Sequence, residues 1–124
     1  MTQKRWLLLL IRIVLIALIA CVLITYIVDP FFQFHVRDNQ YMISPRHCAP
    51  GLIKNYDYDT IIIGSSMTQN FNMELFRTEL NCSPLHIGIG GTSDEELLDY
   101  ISLSNKTAKA DTYYICIDIA TFKH

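Results

Sequence analysis

No acidic residue precedes Asp29, and between Trp6 and Val28 the apolar run is broken only by Arg12 and Thr25. A segment so poor in charge has no solvated face, which excludes a surface helix of a water-soluble domain. Only Cys82 and His86 fall at the two-to-four spacing of a zinc knuckle, and one pair cannot supply four ligands, so neither a structural metal site nor another cofactor is expected. No internal repeat or low-complexity tract occurs, and Gly88-Ile89-Gly90-Gly91 is not the dinucleotide-binding glycine fingerprint. Positive charge is scarce beyond the apolar run. From Asp29 onward seven basic residues face all 12 acidic ones, a net −5 that argues against nucleic acid or anionic headgroups as partners.

What is present at the amino end is a membrane anchor. At about 1.5 Å per residue, Trp6 to Val28 reaches roughly 35 Å, enough for a hydrocarbon core of about 30 Å. The run is too long for the apolar region of a secretory signal, and no small-residue cleavage site precedes Asp29-Pro30. Lys4, Arg5 and Arg12 lie at its start, and the next basic residue is Arg37. The positive-inside rule then predicts a cytoplasmic amino terminus, a single pass through the cell membrane and an extracytoplasmic remainder. Leu18-Ile19-Ala20-Cys21 also fits the pattern that precedes a lipidated cysteine, although Val22 to Val28 continue the apolar run beyond it. Cys48 and Cys82 are the pair that an oxidising compartment would allow to bridge.

Three regions are expected: 1–28 as tip and anchor, 29–59 as an irregular extracytoplasmic connector, and 60–124 as an incomplete α/β domain. Pro30, Pro45, Pro50 and Gly51 punctuate the connector, while its many aromatics argue against disorder. Thr60 to Gly64, with Ile61, Ile62 and Ile63 in succession, predicts a strand buried on both faces. Asn72 caps a helix whose apolar side is Met73, Phe76 and Leu80. A second strand over Leu85 to Ile89 leads through glycines to Ser93, which with Glu96 forms a capping box for a helix striped by Leu97, Leu98 and Ile101. Thr112 to Ile119 supplies a third strand. The order βαβαβ predicts parallel strands joined by right-handed crossovers.

Ser65 and Ser66 fall at the carboxyl end of the first strand, where open α/β sheets place ligands. A hydroxyl there is positioned for nucleophilic attack, with backbone N–H groups available to an oxyanion; the plainer role of such serines is to cap the turn. Ile62-Ile63-Gly64-Ser65-Ser66-Met67-Thr68 resembles the first block of the SGNH (GDSL-like) hydrolases, and His86-Ile87-Gly88-Ile89-Gly90-Gly91 resembles the second. The resemblance spans Asp57 to Phe122 and implies a partial flavodoxin-like three-layer fold. It implies Ser66 as nucleophile, the N–H groups of Ser66 and Gly91 as oxyanion donors, and Ser65 and Asp118 in support. With the anchor, it implies an envelope esterase or acyltransferase whose partners are cell-envelope glycans or acyl esters.

The chain departs from that pattern at Ser65 (commonly aspartate), at His86 (commonly asparagine) and at Asp118, where an asparagine often donates to the oxyanion. An ionised carboxylate only accepts hydrogen bonds. The family's Asp-x-x-His base motif does not occur in these residues, and His35, His47, His86 and His124 offer no evident replacement. The 124 residues alone are therefore expected to be inactive. The alternative is a small membrane-tethered structural or partner-binding protein without catalysis. The orientation is directly testable: protease added outside sealed cells is expected to cut within residues 29–124, and protection of that region would reverse the topology.

Overall fold

The computed structural model describes residues 3–37 and 44–118, and the chain divides into two compact units, Met1–Pro30 and Phe31–His124. The first contains one helix, α1 (Gln3–Val28). Its residues Lys4–Val28 are long and apolar enough to cross a membrane or to act as a signal anchor, and none of the tested window is buried. At about 1.5 Å per residue its 26 residues extend about 39 Å. Cys21 lies inside this helix, where its carbonyl accepts the Thr25 hydroxyl at 2.9 Å.

The second unit is a mixed α/β layer structure. Its elements are α2 (Pro45–Asn55), β1 (Thr60–Gly64), a 3-10 turn over Ser66–Asn70, α3 (Met73–Leu80), β2 (Pro84–Gly88), α4 (Asp94–Thr107) and β3 (Thr112–Cys116). The three strands are parallel in the order β2-β1-β3, with Ile62 opposite both His86 and Tyr114. The chain steps from β1 to β2, then back across β1 to β3. Right-handed crossovers in opposite directions put their helices on opposite faces of the sheet.

Side-chain alternation along β1 makes both faces necessary. Ile61 and Ile63 join Leu85, Ile87 and Ile89 in a core closed by Cys48, Ala49, Leu52 and Ile53 of α2 and by Leu97 and Tyr100 of α4. Ile62, also fully buried, lies outside that cluster. It shares the opposite pleat with His86 and Tyr114, where Phe76 of α3 meets Tyr114 edge-on at 5.6 Å. This second layer is thinner, since α3 buries no residue completely.

Several local expectations hold and several do not. β1 has the expected bounds, β2 runs over Pro84–Gly88, one residue earlier than expected, and the caps are formed: Asn72 accepts from Glu74 N–H at 3.0 Å and Ser93 from Glu96 N–H at 3.3 Å. The region expected to be an irregular connector instead carries α2. Pro45 occupies the first turn, where a missing N–H costs nothing, and Gly51 lets the helix backbone approach the Phe31 and Phe32 carbonyls. Lys109 closes the other end, donating to the Lys54 and Tyr56 carbonyls at 2.8 and 2.7 Å.

Leu98 and Leu80, expected on apolar stripes, are exposed. In α4 the buried line runs instead through Leu97, Tyr100 and Ser104, which keeps helical spacing and leaves Leu98 off axis. β3 is an edge strand with Tyr114 and Ile115 exposed, and Cys116 is half-buried rather than buried. β3 ends at Cys116, short of the expected Ile119: Ile117 and Asp118 lie beyond the strand, and Ile119 is outside the described residues. Cys48 and Cys82 are not joined by a disulfide, and Cys82 is hydrogen-bonded to the Phe76 carbonyl at 3.2 Å.

A methyl group at Gly51 would overlap the Phe31 and Phe32 carbonyl oxygens, whereas one at Gly90 would meet only the Ser66 Cβ at 3.8 Å. Gly51→Ala is therefore expected to destabilise the protein by about 1–3 kcal/mol, and Gly90→Ala by much less. Urea unfolding of the full chain in micelles checks this. Equal midpoints for the two variants would contradict the seating of α2.

Candidate active site

Strand order changes direction at β1, the kind of position at which open α/β sheets place their ligands. Ser65 and Ser66 occupy the end of β1, and their environments differ. Ser65 is buried. Its hydroxyl accepts from the Met67 N–H at 3.3 Å, capping the 3-10 turn, and donates to the Asp118 carboxylate beyond β3. Asp118 is thus an acceptor that ties the ends of β1 and β3 together.

Ser66 is exposed. Among the described residues none hydrogen-bonds its hydroxyl, and the N–H groups of Ser66 and Gly91 have no acceptor. The Gly90–Gly91 turn lies beside it, with a Cβ built on Gly90 3.8 Å from the Ser66 Cβ. Gly91 has φ +68°, a left-handed conformation that glycine adopts without strain. The turn is closed by Thr92, whose hydroxyl donates to the Ile89 carbonyl.

Beneath Ser66 a polar relay links the two loops. Thr68, fully buried, donates its hydroxyl proton to the Ser65 carbonyl at 2.8 Å. That proton being committed, Thr68 acts as acceptor toward His86 Nε2 at 3.1 Å, which makes Nε2 the protonated nitrogen. Gly88 makes room for the ring: a Cβ there would lie 2.7 Å from His86 Nε2 and 2.8 Å from the Thr68 hydroxyl. Gln69 bridges the same strands by donating to the Gly88 carbonyl at 3.2 Å. A cleft of about 350 Å³ runs beside this relay, lined by Pro45, Leu52, Gln69, His86, Ile87 and Gly88.

His86 is therefore hydrogen-bonded to Thr68 and not to Ser66. None of the described histidines is bonded to Ser66; His47 is held by Ser44 at 2.9 Å, and His124 lies outside the described residues. Among the described residues no group of three His, Cys, Asp or Glu side chains is placed to hold a metal ion.

One participant was not foreseen from sequence. Arg46, at the start of α2, pairs its Nε with Glu96 at 2.7 Å and directs Nη2 to the carbonyls of Gly90 and Gly91 at 3.3 and 3.5 Å. Tyr100 also donates to Glu96, at 2.8 Å. Burial first, then the Glu96 hydrogen bond and charge, push the Tyr100 phenol well above its usual range, so it remains a donor. The hydrogen bond to Glu96, reinforced by its charge, raises the Arg46 pKa. The only sequence signal for this cluster was Glu96 itself, read as half of a capping box.

The chain matches no family model, no curated protein and no solved structure, so the chemistry of the site rests on its own geometry.

Burial depresses the His86 pKa below 6.5. The unfolded state then binds more protons than the folded state between the folded pKa and about 6.5, so stability rises with pH across that window. Acidification through it should lower the melting temperature, and His86→Asn should reduce that dependence. Melting curves from pH 7.5 to 5 check this; identical pH dependence in both proteins would contradict the burial of His86.

Proposed function

We propose that this protein is a membrane-anchored serine ester hydrolase or acyltransferase of SGNH type, with Ser66 as its nucleophile. The observation that carries the reading is the combination at the end of β1. Among the described residues, an exposed hydroxyl without a hydrogen-bond partner stands beside a glycine turn, and the N–H groups of Ser66 and Gly91 are uncommitted. In acyl transfer the Ser66 Oγ would attack the ester carbon, and those N–H groups would receive the negative charge developing on the carbonyl oxygen. Ser65 and Asp118 would keep the loop rigid by joining the ends of β1 and β3. The strand order β2-β1-β3 is compatible with a flavodoxin-like three-layer sheet.

A base is needed to activate Ser66, and none of the described histidines is hydrogen-bonded to it. On this reading the base is supplied from outside the described residues. The anchor and its basic amino end favour an extracytoplasmic site facing envelope esters. A second reading, a tethered partner-binding protein, is favoured by the β3 edge, where Tyr114, Ile115 and Ile117 are exposed.

A fluorophosphonate probe applied to native membranes distinguishes the two. Covalent labelling that disappears in Ser66→Ala supports the nucleophile, because removing an exposed hydroxyl should leave the fold intact. Absence of labelling in the wild type, or labelling unchanged in Ser66→Ala, would favour the binding reading.

A further inference from the structure

A peptide flanked by two glycines is the least constrained in a chain, because neither side has a Cβ to oppose its rotation. Gly90–Gly91 is such a peptide, and Gly91 has open space around the position of an added Cβ. Turned one way, the peptide offers an N–H to an anion. Flipped, it offers a carbonyl oxygen, which would repel one. An oxyanion donor built on this peptide therefore needs something that fixes its direction.

We infer that Arg46 is that positioning residue: it aims the Gly91 N–H at the reacting oxygen by holding the carbonyls on either side of Gly91. The inference rests on Ser66 being the nucleophile. The described peptides are trans, so C=O and N–H point in opposite directions. With the Gly90 carbonyl drawn to Arg46 Nη2, the Gly91 N–H faces away from the guanidinium. The same nitrogen reaches the Gly91 carbonyl, so both peptide planes are restrained together. A planar guanidinium can hold a carboxylate and two carbonyls at fixed angles, which one lysine ammonium cannot reproduce.

Arg46 is itself held from two elements. Glu96, in the first turn of α4, accepts from its Nε, and Tyr100 holds Glu96 from one turn further on. Pro50 adds a backbone contribution. Having no N–H, it leaves the Arg46 carbonyl without its helical partner, and the Tyr100 hydroxyl lies 3.5 Å from that oxygen while giving its one proton to Glu96. Two residues of α4 thus hold the side chain of Arg46, Glu96 directly and Tyr100 through Glu96, and Arg46 restrains the turn.

The test is the second-order rate of fluorophosphonate labelling at Ser66 in the full-length protein in membranes, for wild type, Arg46→Ala and Arg46→Lys. Arg46→Ala is expected to label about tenfold more slowly, because a misdirected donor loses much of its stabilisation of the developing charge. Millimolar guanidinium ion is expected to restore most of that rate, a response that a merely structural role would not give. Arg46→Lys retains the charge and the aliphatic stem and should fold, yet it is expected to remain slower than wild type. A wild-type rate in Arg46→Ala, or no rescue of a folded Arg46→Ala protein, overturns the role of Arg46 and leaves Ser66 standing. A wild type that does not label overturns both.

Discussion

Three consecutive isoleucines in β1 present apolar side chains alternately to both faces of the sheet, and neither face can be left in water. Burying each of these side chains is worth about 1.5–3 kcal/mol, so covering only one face would forfeit a large part of the core. The chain meets this demand by moving first to β2 and then back past β1 to β3, with α3 on one side and α2 and α4 on the other. The switch in strand order at the end of β1 follows from the same reversal. Fold and candidate site are two consequences of one hydrophobic constraint.

The adjacent serines divide the work that follows. Ser65 continues the pleat into the protein, where an unpaired hydroxyl would be costly, and it is satisfied by Met67 N–H and Asp118. Ser66 begins the 3-10 turn and leaves the pleat, so its side chain faces solvent. The relay from His86 through Thr68 to the Ser65 carbonyl holds the turn from below. Its members are mutually committed, which accounts for a histidine close to the candidate nucleophile that does not serve it.

Legibility in the sequence followed the range of the causes. The bounds of β1 and the caps at Asn72 and Ser93 depend on neighbours within a few residues, so composition and spacing revealed them. α2 escaped because its two prolines and Gly51 are local breakers, outweighed by the burial of Cys48, Ala49, Leu52 and Ile53 against a sheet that comes later in the chain. The exposure of Ile115 also escaped, because a β-branched strand residue reads the same at an edge as at the centre. Arg46 was invisible for a similar reason: its partners lie 44, 45 and 50 residues away.

The pairing of Arg46 with Glu96 also bears on how the arginine would act. An unpaired guanidinium beside the Gly90–Gly91 turn would stabilise an anion through its field, with little dependence on direction. Glu96 largely cancels that field, and both side chains remain partly open to solvent, which screens what is left. What survives cancellation is directional: hydrogen bonds at 3.3 and 3.5 Å that hold two carbonyls on one side and thereby commit their amides to the other. In a region carrying net −5, where a bare cation would also attract the protein's own carboxylates, restraint by geometry is the more specific means of preparing an oxyanion site.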